Sequence, residues 1–348
     1  MTEVTAANAV MEPVFAALRD FDPSCVRAAL DVAAPDCVFR LCHPIGDLRG
    51  PASLMRSAYA PLHAALPDLE RQEFIRMAGL DADGAMWIGS GGHYAGTFRA
   101  PWLNIPPTGR NMSMRFHEFF RVENGACAEM QAIWDIPEVM MQAKAWPMAP
   151  SLGREFCVPA PASGDGLIRP ERDEARSRES QRIIVEMLDH MKRHPSQGGA
   201  EVMEMPRFWH ETMSWYGPAG IGSGRGIAGF RNWHQIPFLA GMPDRGQYVD
   251  EITYHFFGDN DYAAVTGWPN MIQTVSHDGW MGIAPSDKKI TMKSLDFWRL
   301  ENGRIRENWV MVDVLDAYRQ LGVDVFARLR EFNKARVPGS VPFPIGDT

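Results

Sequence analysis

The segment His117-Glu-Phe-Phe-Arg-Val-Glu-Asn-Gly125 occurs again as Leu295-Asp-Phe-Trp-Arg-Leu-Glu-Asn-Gly303, identical at five positions of nine and displaced by 178 residues. The same displacement carries Trp102 onto Trp280, Pro107 onto Pro285 and Asp135 onto Asp313, and Pro67-Asp68 falls on Pro243-Asp244 at a displacement of 176. A register kept over that span requires a duplicated folding unit, so the chain must adopt a fold that closes its own core and can be built twice. A length of 348 residues leaves room for two copies of ordinary domain size. The expected division is a first domain over residues 1–145, a Pro- and Gly-rich linker over 146–175, a second domain over 176–336 and a tail over 337–348. The copies are expected to pair as a pseudo-dimer within one chain, which is compatible with further assembly into a homo-oligomer.

Within each copy helices come first and strands after. Apolar periodicity predicts helices over residues 12–19, 23–33 and 51–65, and in the second copy over 179–193 and 227–239, with the charged run 169–182 leading into the first of these. Asn124-Gly125 and Asn302-Gly303 lie between alternating or aromatic-rich segments, the pattern of a tight hairpin whose central residues take positive φ. Asp135, with Glu138 three residues on, reads as the N-cap of a short closing helix. Helices followed by antiparallel strands place each copy in the α+β class. The Gly-rich run 220–226 lacks the context and lysine of a phosphate-binding loop and is expected to be a flexible loop at a pocket mouth.

Composition narrows the function. A net charge of −8 with scattered Lys and Arg provides no stripe for a phosphate backbone, so nucleic acid is not an expected partner. No apolar run is long enough to span a bilayer, and residues 1–9 lack the basic start and apolar core of a signal peptide; no membrane partner is expected, and the expected location is the cytoplasm. Five cysteines without a Cys-x-x-Cys pair imply neither a disulfide framework nor a zinc knuckle. The ten histidines fall in no ligand spacing and no nucleotide fingerprint is present, so neither a metal nor a cofactor is expected.

Gly96-Thr-Phe98, Ile105-Pro-Pro-Thr-Gly-Arg110 and Glu118-Phe-Phe-Arg-Val-Glu-Asn-Gly125 resemble the SnoaL-like polyketide cyclase, or ester cyclase, family. In the second copy the resemblance rests on His277-Asp-Gly279, Gly282-Ile-Ala-Pro285, Asp296-Phe-Trp-Arg-Leu-Glu-Asn-Gly-Arg-Ile305, Glu307-Asn-Trp309 and Gln320-Leu-Gly322. It implies two tandem cone-shaped α+β barrels of the nuclear-transport-factor-2-like superfamily, each a curved antiparallel sheet wrapped around helices with a pocket inside. It also implies cofactor-independent cyclase, isomerase, dehydratase or lyase chemistry, with an aspartate as general acid/base seven residues after the hairpin glycine. Those positions hold Ala132 and Val310, which cannot move a proton. The family position seven residues before that glycine keeps a carboxylate in both copies, Glu118 and Asp296.

Strand alternation groups Glu118 with Phe116, Phe120 and Val122, and Asp296 with Ser294, Trp298 and Leu300. A carboxyl held among apolar groups resists ionisation, which brings its pKa toward the range useful for proton transfer. Asp296 is therefore the first candidate for the general acid/base and Glu118 the second, unless either is a strand carboxylate satisfied by an Arg or a helix end. Asn308, on the neighbouring strand, is a candidate for orienting a carbonyl or stabilising an enolate, and His277 for relaying a proton to Asp296. Each has an equally weighted structural reading, an amide satisfying backbone and a surface histidine. Substrate contacts are expected from His43, His93, Tyr94 and His234, and from Trp134, Trp215, Tyr216, Trp268, Trp280 and Trp298, any of which also serves as core. The function expected is a cofactor-independent enzyme acting on a small aromatic or polycyclic carbonyl compound, the second copy being the active one. The alternative is a small-molecule-binding protein with degenerate pockets.

Overall fold

The computed structural model describes residues 2–168 and 171–334; Arg169, which opens the charged run, and the tail over 337–348 lie outside the described residues. In the first copy, helices Glu3–Arg19 and Pro23–Ala29 precede strands β1 (Ala33–Leu41) and β2 (Asp47–Arg49). A helical stretch follows over residues 51–65, with a π turn at Met55–Tyr59, and then β3 (Glu70–Leu80), β4 (Met86–Thr97), β5 (Asn111–Glu123), β6 (Ala126–Trp134) and helix Ile136–Gln142. The second copy opens with helix Glu174–Met191, continues through β7 (Trp209–Tyr216) and β8 (Gly224–Arg225), and has its helical stretch over residues 226–241. It is completed by β9 (His255–Asp259), β10 (Tyr262–Thr266), β11 (Met271–Val275), β12 (Lys288–Met292), β13 (Ser294–Glu301), β14 (Arg304–Val312) and helices Val314–Gln320 and Val325–Lys334.

The sheets run β2-β1-β6-β5-β4-β3 and β8-β7-β14-β13-β10-β9, antiparallel except where β1 meets β6 and β7 meets β14. The class is α+β with two tandem sheet-and-helix domains, as the order of elements in the sequence implies. Asn124 and Asn302 both take φ of +52°, each followed by a Gly with positive φ, so the Asn-Gly pairs turn their hairpins as expected. Asp135 accepts a hydrogen bond from the Glu138 amide, and Asp313 does the same for Asp316, capping the helix that closes each copy.

The two sheets meet through the faces turned away from their own helices. Phe119 stacks on Phe297 with ring centroids 5.0 Å apart, and His117 Nδ1 lies 2.6 Å from the Leu295 carbonyl oxygen. Each pair joins residues 178 apart, so each residue touches its own counterpart, as on a two-fold axis between like subunits. The approach is close enough that a Cβ at Gly89 would come within 2.8 Å of the Phe297 ring. Away from this centre the contacts are reciprocal. Asp135 also accepts from the Ala219 amide of the second copy at 2.9 Å, and Asp313 accepts from the His43 amide of the first at 3.0 Å. Arg115, 1% exposed, donates across the junction to the carbonyls of Tyr216, Gly217 and Val310. A double-mutant cycle with Phe119→Leu and Phe297→Leu is expected to give a coupling of about 1 kcal/mol in urea unfolding, the contribution of a stacked pair beyond the area it buries.

The connector is packed rather than free. Trp309 Nε1 donates to the Pro159 carbonyl, the Ala162 amide donates to Glu307, and the Arg76 amide donates to the Gly166 carbonyl. This corrects the expectation of a flexible glycine loop at a pocket mouth. Residues 217–222 are buried, the Gly153 amide bonds the Ile221 carbonyl, and Gly222 lies so near Gly153 that a Cβ would sit 2.5 Å from its backbone.

One difference between the copies positions the site. β3 has eleven residues and β9 five, and β4 pairs with β5 along its whole length. In the second copy the corresponding run is broken at Gly267-Trp-Pro-Asn270, after which β11 leaves the main sheet and pairs with β12. Pro269 has no N–H to donate to a ladder, so a continuous strand cannot pass through it. The second cone therefore stays open where residues 243–254 replace the start of a long edge strand.

Candidate functional site

The first cone is filled. Glu118 is fully buried and accepts from Arg71 Nη2 at 2.9 Å, Tyr94 Oη at 2.8 Å and Trp134 Nε1 at 3.0 Å. Arg71, itself 3% exposed, also donates to Ser90 Oγ and lies over the Phe116 ring. Glu118 is thus a satisfied structural carboxylate, and its expected catalytic role is corrected: it is fully buried and every donor around it is committed. Tyr94 and Trp134, expected to contact substrate, are instead the groups that plug the cone and hold this carboxylate.

At the matching positions of the second copy these donors are gone. Asp68 bonds Thr97, and Asp244 bonds Thr274, which fixes the local register. By it, Tyr94 corresponds to Met271, Trp134 to Val312 and Arg71 to Gln247, which is exposed. The smaller side chains leave two adjoining chambers of about 230 Å³ and about 80 Å³, both lined by Arg245, Met271, Ser294, Asp296 and Trp298. A larger groove of about 810 Å³ lies between residues 2–4 and the helix Glu174–Met191, but it is broad and bordered by exposed charges such as Arg178 and Arg182. The two chambers are narrower and have convergent polar groups, which makes them the better ligand site.

Asp296 reaches this cavity from β13, on the same face as Ser294 and Trp298, as strand alternation requires. It is half-buried, the cavity leaving part of it exposed. Burial pushes its carboxyl up to about 7, against the opposing pull of the hydrogen bond from Ser294 Oγ at 2.5 Å and of the Arg245 and Arg115 charges. Ser294→Ala removes a group that favours the ionised form. The Asp296 titration midpoint should then move upward by about one pH unit, measured by carbon-13 NMR of the carboxyl.

The remaining sequence candidates divide by strand face. Asn308 lines the smaller chamber with Val310, and one of its N–H groups is committed to the Phe297 carbonyl at 3.0 Å. His234 lines it too, stacked on Trp215 with centroids 4.1 Å apart; burial, reinforced by the Arg245 charge, pushes its pKa down to about 3, so the ring is neutral near pH 7. Trp280 and Trp298 complete these walls. The others lie elsewhere and are corrected. His277 is exposed in the turn after β11, bonded to Ser276 Oγ, and lines neither chamber at Asp296. His43 packs on Phe326 at the junction of the copies. His93 falls on the outer face of β4, against Phe74 and beside Cys157, where burial lowers its pKa to about 4. Tyr216 is on the outer face of β7, against Trp309. Trp268 packs under the Lys293 ammonium.

Sequence reasoning missed Arg245. The repeat carried its signal, because the register that places Pro67-Asp68 on Pro243-Asp244 sets Arg245 opposite the buried Leu69. Among the described residues no group of three or more His, Cys, Asp or Glu could hold a metal ion, and no helix is long and apolar enough to cross a membrane.

No curated protein matches the chain. Among solved structures it is similar to IdmH, a putative polyketide cyclase from Streptomyces antibioticus, with 20% identity over 40% of this chain and 98% of that one and a TM-score of 0.34. A putative SnoaL-like polyketide cyclase from Jannaschia sp. CCS1 is 18% identical over 40% of this chain and 93% of its own, with a TM-score of 0.34. TsrD from Streptomyces laurentii is 23% identical over 41% and 98%, with a TM-score of 0.33. The family described as SnoaL-like polyketide cyclase matches residues 14–143 and 199–321, one segment in each copy. Matched over most of its length, and in both halves, the chain belongs to the SnoaL-like polyketide cyclase family.

Proposed function

We propose that the second cone is an acid/base site in which Asp296 takes and returns a proton at a carbon next to a carbonyl group. The observation that carries this reading is a carboxyl with a near-neutral pKa in a largely apolar cavity, bonded only to Ser294. Its position adds support. Asp296 and Val310 are cross-strand partners, so their Cβ atoms are about 5 Å apart and the carboxyl enters the space that an acid at position 310 would occupy.

In this reading the ionised Asp296 removes the carbon-bound proton, and the electron pair passes into the carbonyl oxygen as an enolate. A neutral donor suits that oxygen, since it stabilises developing charge without an ion pair to break. Asn308 has a second N–H beyond the one given to Phe297, and Trp298 Nε1 has no other partner. Where the carbonyl compound carries a β,γ double bond, protonated Asp296 then delivers the proton to the γ carbon of the dienolate in an isomerisation; in a cyclisation the enolate attacks a second carbonyl of the same molecule and the resulting alkoxide takes the proton back from Asp296. The chambers suit a one- or two-ring compound better than a larger polycycle.

The test is carbon–hydrogen exchange in D2O, followed by proton NMR with one-ring ketones and 1,3-diketones. Wild-type protein should accelerate exchange next to the carbonyl, and Asp296→Asn should fall to the buffer rate. Ketone binding, seen as quenching of tryptophan fluorescence, with no exchange would favour the non-catalytic binding protein, the reading that Ala132 and Val310 support.

A further inference from the structure

Arg245 presents an unanswered charge to the cavity. It lines both chambers and lies over the Phe238 ring with its guanidinium carbon 5.7 Å from the centroid. Among the described residues it makes no ion pair and no hydrogen bond, although it is at most half-exposed and carries five N–H donors. The first cone shows what a buried arginine ordinarily has: Arg71 is paired with Glu118, bonded to Ser90 and 3.8 Å from Glu73. Arg245 has no such set. Asp296, which shares both chambers with it, is bonded to Ser294 and forms no ion pair with it.

The other charged groups around the cavity do not neutralise it. Asp189 and Lys192, at the edge of the larger chamber, pair with each other at 2.9 Å. His234 is neutral near pH 7, and burial depresses the basicity of Arg245 itself, a sign that its charge is poorly solvated. Further polar atoms at the same cavity are orphaned: Trp298 Nε1, Gln273 Oε1 and His234 Nδ1 are buried without a partner. A fork of donors in an apolar chamber costs stability unless something occupies it, and an oxyanion that accepts two parallel N–H bonds is the complementary group.

We propose that the ligand of the second cone is a carbonyl acid, its carboxylate bound by the Arg245 guanidinium while its ring lies against the aromatic wall and its acidic carbon faces Asp296. The inference rests on the cavity assigned above and narrows its substrate to anions. Because Arg245 and Asp296 line the same two chambers, the carboxylate and the reacting carbon are separated by only a few bonds, as in an aryl-substituted 2- or 3-oxo acid. The carboxylate also supplies the directly bonded oxyanion partner that Arg245 does not find in the protein, so binding and charge matching are one event.

The test uses a set of benzyl ketones that differ at one group: phenylpyruvate, its methyl ester and benzyl methyl ketone, titrated against the full chain by tryptophan fluorescence and calorimetry. Wild-type protein should bind phenylpyruvate at least about tenfold more tightly than the two neutral compounds, the discrimination of a charge-assisted bidentate contact. In Arg245→Met that preference should vanish while affinity for the ester is unchanged, and Arg245→Lys should recover part of it. Arg245→Met should also melt at a higher temperature than the wild type without ligand, which a structural arginine would not do. Equal affinity for acid and ester, a preference that survives in Arg245→Met, or failure of all three compounds to bind would overturn the proposal. Asp296→Asn should retain the preference. If it does while exchange is equally slow with and without Asp296, the anion site stands and the acid/base reading falls.

Discussion

Asp296→Asn should lower turnover by at least about two orders of magnitude while leaving the fold and ligand affinity in place. Asn has the same shape and keeps an oxygen for Ser294 Oγ to donate to, so the only function lost is the capacity to hold a proton. The pH profile makes the assignment specific. With a carboxyl near 7 acting in its ionised form, kcat/KM should rise about tenfold per unit below pH 7 and level off above it. Stability should move the other way. Between the usual carboxylate value of 3.8 and about 7 the folded protein holds a proton that the unfolded chain has released, so stability falls as pH rises through that window and is flat above it. Asn removes the penalty. The variant should therefore be more stable than the wild type at pH 8, by about 2 kcal/mol after allowance for solvent in the cavity, and should converge with it near pH 3. Urea denaturation at the two pH values checks this, and a variant less stable at pH 8 would mean that folding favours the ionised carboxyl instead of penalising it.

Glu118→Ala should destabilise the protein by about 3–5 kcal/mol and leave the chemistry of the second cone untouched. The change strands Arg71, which is 3% exposed, and deprives Tyr94 Oη and Trp134 Nε1 of their acceptor in a region closed to water. Breaking one side of such a network costs more than the network contributes, because the remaining charge keeps its desolvation penalty. Glu118→Gln, which preserves volume and one acceptor oxygen, should cost less. Carbon–hydrogen exchange should proceed at the wild-type rate in Glu118→Gln below its melting temperature. A folded Glu118→Gln protein without exchange would move the active site to the first cone.

The fold was legible because the features that set it are local and occur twice. Asn-Gly at 124–125 and 302–303 forces the hairpins, the aspartates at 135 and 313 cap the closing helices, and a common displacement carries one set onto the other. The inward face of β13 was legible for the same reason: alternation alone puts Ser294, Asp296 and Trp298 together. What a single copy could not tell was whether a carboxylate on that face is free or held. Glu118 and Asp296 occupy the same strand position, and their difference lies in partners from distant segments, Arg71, Tyr94 and Trp134 against Gln247, Met271 and Val312. The histidines failed for a related reason. His43 is fixed by Phe326 of the second copy, His93 by the outer face of β4 against Phe74, and His277 by an exposed turn where it bonds Ser276, none of which the order of residues displays.

The reciprocal bonds of Asp135 to Ala219 and of Asp313 to His43 have a consequence for how such a protein can change. In a dimer of identical subunits every substitution arrives in pairs, so hollowing a cone to admit a ligand hollows both, and an unpaired arginine placed in one is placed in the other. Joining the halves in one chain removes that constraint. The first half can keep Trp134, Tyr94 and a closed ion pair and act as a rigid counterweight, while the second accepts Val312, Met271 and Arg245 and the loss of packing they bring. The asymmetry between a solid half and a hollow half is then the division of labour that duplication permits, with the two halves held together at the shared junction.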